Sequence, residues 1–394
     1  MSTHRSLLDL PGGRSYWQKS TTKVDLPSAE DRLYDYIVIG AGLTGVAAAY
    51  HLGCAGGTVL VLEAGACPAW RASGRNGGHV WPSSHADSDE GGIDKLQFEM
   101  SGANAISDLT RRNKNGSIEL ASTNEESEAQ RELFADDTAS LQGVELICED
   151  QGWLEAGLVP DEDAFGGIRQ PNTFSVNPVD LTYAIAKRAA DTGNVAFGFD
   201  TAVRHIATVS PSVTVEGGRK MGANKAVLVC TNAFTGELLP ELRNHFTTKM
   251  SHLIAVPCSD DDTRLRECTL AAVNDTLYMS RPVPERIILG GEGASSLEEG
   301  ASNLEKYLWD HSSERASDVS EVDMWSEYLC FTSDGLPLVG PLTERHGVVV
   351  CAGFNGNGLP LFYKCAEGAA LYAQGKDSEV NPWLRKWARG DRYE

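Results

Sequence analysis

Between Tyr36 and Leu62 the chain carries no Asp, Glu, Lys or Arg, although charged residues make up 23% of the whole sequence. By length alone this stretch fits a membrane span. Six glycines and His51 interrupt it, and it divides into a β-branched run, a small-residue run and a second apolar run. This pattern favours a buried strand, helix and strand over a membrane span.

A glycine motif, "GAGLTG", joins the first strand to the helix. Gly40 permits a tight turn, Gly42 lets backbone approach a pyrophosphate, and Gly45 lets the helix pack closely on the strand. The N–H groups and the dipole at the helix N-terminus attract phosphate oxygens. Glu63 ends the second strand, 18 residues after Gly45, where a carboxylate accepts ribose hydroxyls. The motif therefore predicts a dinucleotide site, and the acid disfavours NADP.

Composition excludes several classes of partner and site. A net charge of −21 over 394 residues argues against nucleic acid or an anionic membrane as the partner. Nine scattered cysteines, none in a C-x-x-C motif, predict free thiols in the cytoplasm rather than disulfides or a zinc site. The first twenty residues lack the apolar core of a signal peptide.

Patterns typical of a nucleotide-binding domain recur at the start, middle and end of the chain. "KAVLVCTNAF" predicts a buried strand, and "GVVVCAGFNGNGLPLFYKCAEGAALYA" predicts a strand, a turn and a helix. Residues 83–143 are charged and predicted to be largely helical. We therefore predict an α/β fold in which a Rossmann-type domain is interleaved with a second domain of mixed antiparallel β-sheet and helices. The predicted boundaries are 1–30 for an N-terminal arm, 31–90, 170–236 and 326–394 for the Rossmann-type domain, and 91–169 and 237–325 for the second domain.

A second glycine-rich segment, "RASGRNGGHVWP", begins at Arg71. Together with "DYIVIGAGLTGVAAAYHL", "FTSDGLPLVGP" and the C-terminal segment, it resembles the D-amino-acid oxidase superfamily. The resemblance is greatest to the branch of FAD-dependent amine oxidases that includes glycine oxidase, sarcosine oxidase and gamma-glutamylputrescine oxidase. It implies FAD as the cofactor and an amine or amino-acid-like small molecule as the substrate.

In that family the loop equivalent to "RASGRNGG" runs between the pyrophosphate and the flavin ring. We expect its glycines to let backbone approach a flat ring, Ser73 to donate a hydrogen bond, and Arg71 or Arg75 to neutralise the diphosphate. A solvated glycine-rich connection is the alternative. The predicted cofactor-binding residues are Gly40, Gly42, Leu43, Thr44, Gly45, Glu63, Ala64, Arg71, Ser73, Gly74, Arg75, Asn76, Gly77, Gly78, Val203, Thr231, Asn232, Gly353, Asn355, Gly356, Asn357 and Gly358.

Covalent attachment of the flavin, which occurs in some relatives, has two candidates. His79 lies at the end of the glycine-rich loop, and we interpret it as a neutral hydrogen-bonding residue rather than a tether. Cys330 lies near the family's cysteine attachment position, but ungapped counting from Asp334 puts that position at Glu327. We therefore expect the FAD to be held non-covalently.

At two positions that serve the chemistry in sarcosine oxidase-like relatives, this chain has a different residue. Pro360 and Ile288 stand where sarcosine oxidase-like relatives have lysines, one for the substrate carboxylate and one for oxygen activation. Tyr278 and Arg281 resemble the substrate-facing strand of the branch, which implies that Arg281 binds a carboxylate; an ordinary surface arginine is the equal alternative. With His79 they form the predicted catalytic set.

The resemblance implies hydride transfer from an amine to flavin N5, with O2 or another acceptor taking the electrons. Two alternatives remain: a dehydrogenase that avoids oxygen, and a flavoprotein kept as a binding or assembly factor without turnover. No metal site and no membrane span are predicted.

Overall fold

The computed structural model describes residues 10–82, 92–133, 143–160, 164–259, 261–266, 268–272, 277–291, 293–312, 322–387 and 389–393. Its helices are α1 Tyr16–Ser20, α2 Leu43–Cys54, α3 Gly92–Thr110, α4 Asn124–Leu133, α5 Gln151–Glu155, α6 Pro178–Asp191, α7 Thr235–Leu238, α8 Leu297–Asp310, α9 Phe362–Ala373 and α10 Pro382–Trp387. Its strands are β1 Tyr34–Ile39, β2 Val59–Leu62, β3 His79–Val80, β4 Ser117–Leu120, β5 Glu145–Ile147, β6 Gly167–Gln170, β7 Phe174–Ser175, β8 Val195–Gly198, β9 Val203–Ile206, β10 Ser212–Val215, β11 Lys220–Val229, β12 Phe246–Pro257, β13 Thr269–Ala272, β14 Leu277–Val283, β15 Arg286–Gly291, β16 Asp323–Thr332, β17 Leu338–Pro341 and β18 Val348–Ala352.

The "GAGLTG" motif lies on a mainly parallel sheet. Its strands follow the order β17–β18–β11–β1–β2–β8, and the strands from β18 to β8 run parallel. β2 and β18 are buried along their whole length, as expected for strands covered on both faces. β9 and β10 extend β11 as an antiparallel pair. The predicted Rossmann-type α/β fold is confirmed.

Small side chains let α2 pack tightly against the helices beside it. Ala47, Ala48 and Ala49 are fully buried, and α2 contacts both α6 and α9 on the same face of the sheet. The uncharged stretch is therefore a buried strand–helix–strand unit. Among the described residues no helix has both the length and the apolar character needed to cross a membrane.

A second, mostly antiparallel sheet carries the order β16–β12–β15–β14–β13–β4–β6–β5. Its one parallel pairing joins β13 to β4. Ile254, Met279, Ile287 and Leu289 are fully buried on it, and Leu304 of α8 belongs to the same apolar cluster. This sheet matches the mixed antiparallel domain expected from the sequence.

Two details differ from the sequence prediction. The segment 83–143 is not only helical, because β4 lies between α3 and α4 and pairs with β6 and β13. β16 crosses position 326, and pairs with β12 from Asp323 to Thr332, so a domain boundary there would cut a strand. The other predicted boundaries remain predictions. Residues 83–91 and 134–142 of the same segment lie outside the described residues.

The N-terminal arm is part of the folded core. Trp17 on α1 has no exposed surface. Farther along, Ser28 forms a parallel bridge to Phe197 of β8, where Phe197 N–H donates to Pro27 O over 2.8 Å. The arm therefore covers the β8 edge of the parallel sheet, which would otherwise expose unpaired backbone groups.

Candidate cofactor and active site

Two adjoining cavities lie at the carboxyl ends of the parallel strands. The larger encloses about 460 Å³ and the smaller about 140 Å³. Gly42, Ser73, Asn232 and Glu327 line both cavities, so together they form one continuous crevice. From β1 the chain leads to β2 on one side, while β11 pairs with β1 on the other side. Open α/β sheets bind ligands at the point where the chain connections diverge in this way.

Most residues predicted from sequence line this crevice. The larger cavity is lined by Leu43, Thr44, Arg75, Asn76, Gly77, Gly78, His79, Tyr278, Asn355, Gly356, Asn357 and Gly358. The smaller cavity is lined by Gly40, Glu63, Ala64, Arg71, Val203 and Thr231. Gly45, Gly74, Gly353 and Arg281 line neither cavity.

The turn after β1 requires its glycines for steric reasons. Gly40 has a φ of +101°, a region that residues with a Cβ rarely adopt. A Cβ on Gly45 would overlap the carbonyl oxygen of Gly40, so the predicted close packing of helix on strand is present. A Cβ on Gly42 would lie 2.7 Å from Ser73 Oγ, and its absence leaves room for the glycine-rich loop to approach the start of α2.

Glu63 ties the ends of β1 and β2 together. Its Oε2 accepts the N–H of Ala41 at 2.7 Å, and its Oε1 accepts the N–H of Gly65 at 2.8 Å. Burial raises the pKa of this carboxyl above its usual range, while the two N–H groups oppose the rise. Each oxygen keeps a lone pair, so the residue that shapes the turn can also accept a hydroxyl in the smaller cavity.

Ser73 accepts a hydrogen bond at the start of α2. Its Oγ receives the N–H of Leu43 at 2.9 Å, and its own hydroxyl proton remains for another acceptor. The N–H of Leu43, expected to face phosphate, is therefore already used within the protein. Asn76 likewise holds the loop together, because its amide donates to Ala72 O and accepts from Gly78 N–H.

The glycines of the loop are required by protein packing, and their expected approach to the flavin stays a prediction. A Cβ on Gly74 would overlap Ala69 O, and one on Gly78 would overlap Val176 O. On Gly77 a Cβ would overlap the ring of Tyr278. Each glycine is thus required by a neighbouring protein atom, and Gly74 does not line the crevice.

Arg71 and Arg75 are both paired with Glu327, which the sequence did not predict. Arg71 forms a bidentate pair, with Nη2–Oε1 at 2.6 Å and Nε–Oε2 at 2.9 Å. Arg75 Nε lies 3.2 Å from Glu327 Oε2, and the arginine has no exposed side-chain surface. Burial lowers the pKa of Arg75 to about 10, so the guanidinium is charged at pH 7. One carboxylate and two guanidinium groups thus meet where the two cavities join.

Arg75 does not fit the expected role of neutralising a diphosphate. Its Nη2 donates to Pro11 O at 2.6 Å and to Ser326 O at 2.8 Å, and Nη1 donates to Gly13 O at 2.7 Å. The guanidinium is therefore bound to the N-terminal arm and β16. Arg71 lines the smaller cavity and remains the candidate for a phosphate contact.

The N-terminal arm fixes the glycine-rich loop from behind. Ser15 Oγ donates to Gly74 O at 2.6 Å, and Trp17 Nε1 donates to Asn76 O at 2.8 Å. Gln18 Nε2 donates to the carbonyl oxygens of Ala69 and Trp70. The loop's carbonyl groups are therefore satisfied by the arm.

An aromatic group lines the larger cavity at the end of the loop. The His79 ring stacks on Trp81, with centroids 5.8 Å apart, and lies 5.2 Å from the Tyr278 ring. Its Nε2 lies 3.1 Å from Met279 O, and because a carbonyl only accepts, we assign the proton to Nε2. Burial lowers the pKa of His79 to about 4, so the ring is neutral at pH 7.

Arg281 lies away from both cavities, contrary to the expected contact with a substrate carboxylate. Its guanidinium donates to the carbonyl oxygens of Pro284, Asp262 and Ser259, and its side chain is 3% exposed. The arginine therefore braces the loops around β14. Ile288, at the family's oxygen-site position, is fully buried and lines neither cavity.

The turn after β18 is tied to the end of β16. Asn355 Oδ1 accepts the N–H of Thr332 at 2.8 Å, and its Nδ2 donates to Gly353 O. The N–H groups of Asn355 and Asn357 donate to Cys330 O and Phe354 O. Of the four N–H groups expected to face the flavin, these two are used within the protein. Those of Gly356 and Gly358 bond to no acceptor among the described residues, and both glycines line the larger cavity.

At the end of β11, side chains likewise form hydrogen bonds with neighbouring parts of the site. Asn232 has a φ of +44°, and its Oδ1 accepts the N–H of Gly353 at 3.0 Å. Thr231 Oγ1 lies 3.1 Å from Thr235 Oγ1. Val203, at the start of β9, adds an apolar contact to the smaller cavity. Side chains of this region therefore link three strand ends around the crevice.

Cys330 lines the larger cavity but is 1% exposed. Burial raises the pKa of its thiol to about 12, and since only the thiolate is a good nucleophile, the group is poorly suited to form a covalent bond. Glu327, at the family's attachment position, is held by two arginines. Both observations favour the expectation of non-covalent FAD.

Sequence reasoning also missed the contributions of Trp81, Trp17 and Glu99. Trp81 lies in the quoted loop but was given no role. Trp17 and Glu99 lie far from any motif: the first holds the loop, and the second is fully buried with Oε1 3.5 Å from Asn357 Nδ2. The sequence signal that could have identified Glu99 is an acidic residue within a helix whose pattern is otherwise that of a buried helix.

The residues present fit an FAD molecule. The smaller cavity combines the start of α2, the carboxylate of Glu63 and the guanidinium of Arg71, which are the donor and acceptor types that phosphate and ribose need. The larger cavity has aromatic walls and two glycine N–H donors, which suit a flat ring with polar edges. Glu63, Arg71, Gly356 and Gly358 would hold it.

Comparison with known proteins gives the same result. A family model described as DAO, FAD dependent oxidoreductase, matches residues 35–370. No curated protein matches the chain by sequence. Glycine oxidase from Geobacillus kaustophilus is similar in structure, with 22% identity, a TM-score of 0.74, and coverage of 90% of this chain and 98% of that one.

Two further solved structures share the fold. L-proline dehydrogenase from P. horikoshii has 18% identity and a TM-score of 0.73, covering 93% of this chain and 98% of that one. Iminodiacetate oxidase from Chelativorans sp. BNC1 has 17% identity and a TM-score of 0.70, covering 90% and 99%. Since the family model spans most of the sequence, the chain belongs to the DAO family of FAD-dependent oxidoreductases, and FAD is its cofactor.

Proposed function

We propose that the protein oxidises an amine or amino-acid-like small molecule with FAD and passes the electrons to O2. The observation that carries this proposal is the continuous crevice, in which the smaller cavity, beside Glu63 and Arg71, opens into a second cavity walled by His79, Trp81 and Tyr278. Glycine oxidase and iminodiacetate oxidase, which share the fold, support it. FAD, when bound, would supply a two-electron acceptor: the carbon bearing the nitrogen would lose a hydride and the nitrogen a proton, giving an imine that water hydrolyses to a carbonyl and an amine or ammonia, and O2 would take up the two electrons and two protons to give hydrogen peroxide.

The chain's own residues bind and orient the reactants. The crevice lies between the parallel sheet and β16 and would hold the cofactor there, and the aromatic side chains of the larger cavity would exclude water from the substrate. His79 holds its proton at Nε2 toward Met279 O, which leaves Nδ1 as an acceptor for a substrate N–H. Holding two reactants in contact is a large part of what a protein contributes to such a reaction.

A visible spectrum of the purified protein, followed by anaerobic addition of amines and amino acids, tests the proposal. We expect flavin absorption that bleaches with substrate and returns with O2, producing peroxide. A colourless protein that binds NAD instead would contradict the cofactor. A yellow protein that no amine or amino acid bleaches would contradict the amine chemistry and favour a binding or assembly role.

A dehydrogenase that uses another acceptor is the second candidate. The buried Ile288 and the absence of lysine among the described residues lining both cavities favour it. Slow return of the flavin colour in O2, together with fast return with an artificial acceptor, would select this candidate. We also propose the cytoplasm as the location, because all nine cysteines are free thiols.

A further inference from the structure

The described residues that line the larger cavity offer no unpaired charge to a substrate. Arg75 and Glu327 are the only charged residues among the described residues that line it. They pair with each other at 3.2 Å, and the second oxygen of Glu327 is held by Arg71. A buried ion pair that is already satisfied binds a further ion weakly, since the new partner must displace an existing one.

The wall provided by the second sheet is mostly apolar and aromatic. Besides Ser251, Glu327, Tyr328 and Cys330, it comprises Leu253 of β12, Ala271 of β13, Tyr278 of β14, and Leu329 and Phe331 of β16. His79 and Trp81 continue this surface from the glycine-rich loop, with their rings stacked. Such a surface binds a flat or aliphatic body through apolar area and ring contacts.

Other cations near the cavity are placed away from its interior. Lys249 is exposed, and its Nζ lies 4.8 Å from the centroid of Phe331, but Lys249 does not line the cavity. The Arg281 guanidinium is occupied by backbone carbonyls. The residues outside the described ranges contain two arginines, Arg5 and Arg315, and no lysine.

We infer that the substrate is a monoamine with an apolar, preferably aromatic, body and without a carboxylate. This inference rests on the proposed amine oxidation and narrows its substrate class. A carboxylate in the cavity would lose its water and gain no cationic partner from the described lining residues, and an isolated buried charge is costly. The second ammonium of a diamine meets the same cost, because the Glu327 carboxylate is already shared by two guanidinium groups. A single amine, bound neutral beside His79, avoids both costs.

Three probes of related size separate the possibilities with the FAD-loaded protein. These are 2-phenylethylamine, phenylalanine as each enantiomer, which adds only a carboxylate, and putrescine, which replaces the ring by a second amine. Binding is measured from the perturbation of the flavin spectrum, and anaerobic bleaching gives the rate of reduction. We expect 2-phenylethylamine to bind at least about a hundredfold more tightly than either of the others, since an unpaired buried charge costs about two powers of ten or more.

Two variants locate the effect in the cavity. Trp81→Ala should weaken binding of 2-phenylethylamine by about tenfold, because a ring contact and its buried area are lost. The matched control, Lys249→Met, should leave that affinity unchanged. If phenylalanine binds and bleaches the flavin preferentially, and the Lys249→Met variant loses this binding, the inference is overturned and Lys249 is identified as a carboxylate anchor. Preference for putrescine would also overturn it.

The two levels of the proposal fail differently. If phenylalanine or putrescine is the better reductant, amine oxidation stands and only the substrate class is wrong. If none of the probes bleaches the flavin while a non-amine reductant does, the amine chemistry itself is refuted, and the inference falls with it.

Discussion

Replacing Glu327 by Gln should destabilise the protein far more than any exposed charge change. The carboxylate is nearly buried, Arg75 has no exposed side-chain surface, and the side chain of Arg71 is 12% exposed. The substitution keeps the shape but leaves two guanidinium groups together without their shared anion. Removing one partner of a buried ion pair typically costs about 3–5 kcal/mol. The Arg75 hydrogen bonds to Pro11, Gly13 and Ser326 place the expected loss at the lower end of that range.

Urea unfolding of both proteins, with FAD removed and again at one fixed FAD concentration, measures this loss. Both conditions are needed because a ligand that binds only the folded state adds its own stability. Asp191→Asn is the control, since Asp191 pairs with Lys187 at 2.7 Å on an exposed helix face and should cost less than about 0.5 kcal/mol. A Glu327→Gln loss as small as the control's would refute the view that Glu327 holds two buried charges.

Three further outcomes are expected. Acid precipitation should release FAD into the supernatant, because the Cys330 thiol is kept protonated by burial; colour retained in the pellet would instead direct mass spectrometry to the His79 and Cys330 peptides. Gly45→Ala should abolish FAD binding or folding, because the new Cβ overlaps Gly40 O, whereas Gly222→Ala, with its nearest atom 3.8 Å away, should bind FAD normally. His79 has a folded pKa of about 4, below its unfolded value of 6.5, so its contribution to stability is complete above pH 6.5 and is lost as the pH falls toward 4. A His79→Gln variant should therefore lose less stability than the parent across this pH window. An equal loss of stability in both proteins would show that the ring does not titrate there.

The cofactor turn was predictable because its causes are local. Gly40, Gly42 and Gly45 stand within six positions, and the strand before them and the helix after them are visible as apolar patterns. Glu63 follows at a spacing set by the length of the helix and one strand. Each of these residues acts on its own βαβ unit, so the sequence alone contains the geometry.

The place of the glycine-rich loop was predicted, but the packing that requires its glycines was not. Its glycines are required by Ala69, Tyr278 and Val176, and two of these three lie more than ninety positions away in the sequence. A glycine required by a protein atom and one required by a ligand look the same in a sequence. Arg75 illustrates the same limit, because its acceptor Ser326 lies 251 positions away. Long-range pairing decides such roles, and a single sequence does not report it.

Surface charge and cavity chemistry act on the substrate at different stages. The net charge of −21 attracts cationic amines from a distance and repels anions. A zwitterionic amino acid has no net charge, so this long-range field favours the encounter of its decarboxylated, cationic amine. The amine is bound in its neutral form, however, so the field hardly changes the stability of either complex. The separation has to come from the cavity, where Arg75 is already paired with Glu327 and the described lining residues leave a carboxylate without a cationic partner. Added salt should therefore lower kcat/KM for 2-phenylethylamine, because screening weakens the encounter, yet leave the ratio of its dissociation constant to that of phenylalanine nearly unchanged. A ratio that collapses with salt would place the discrimination at the surface and not in the cavity.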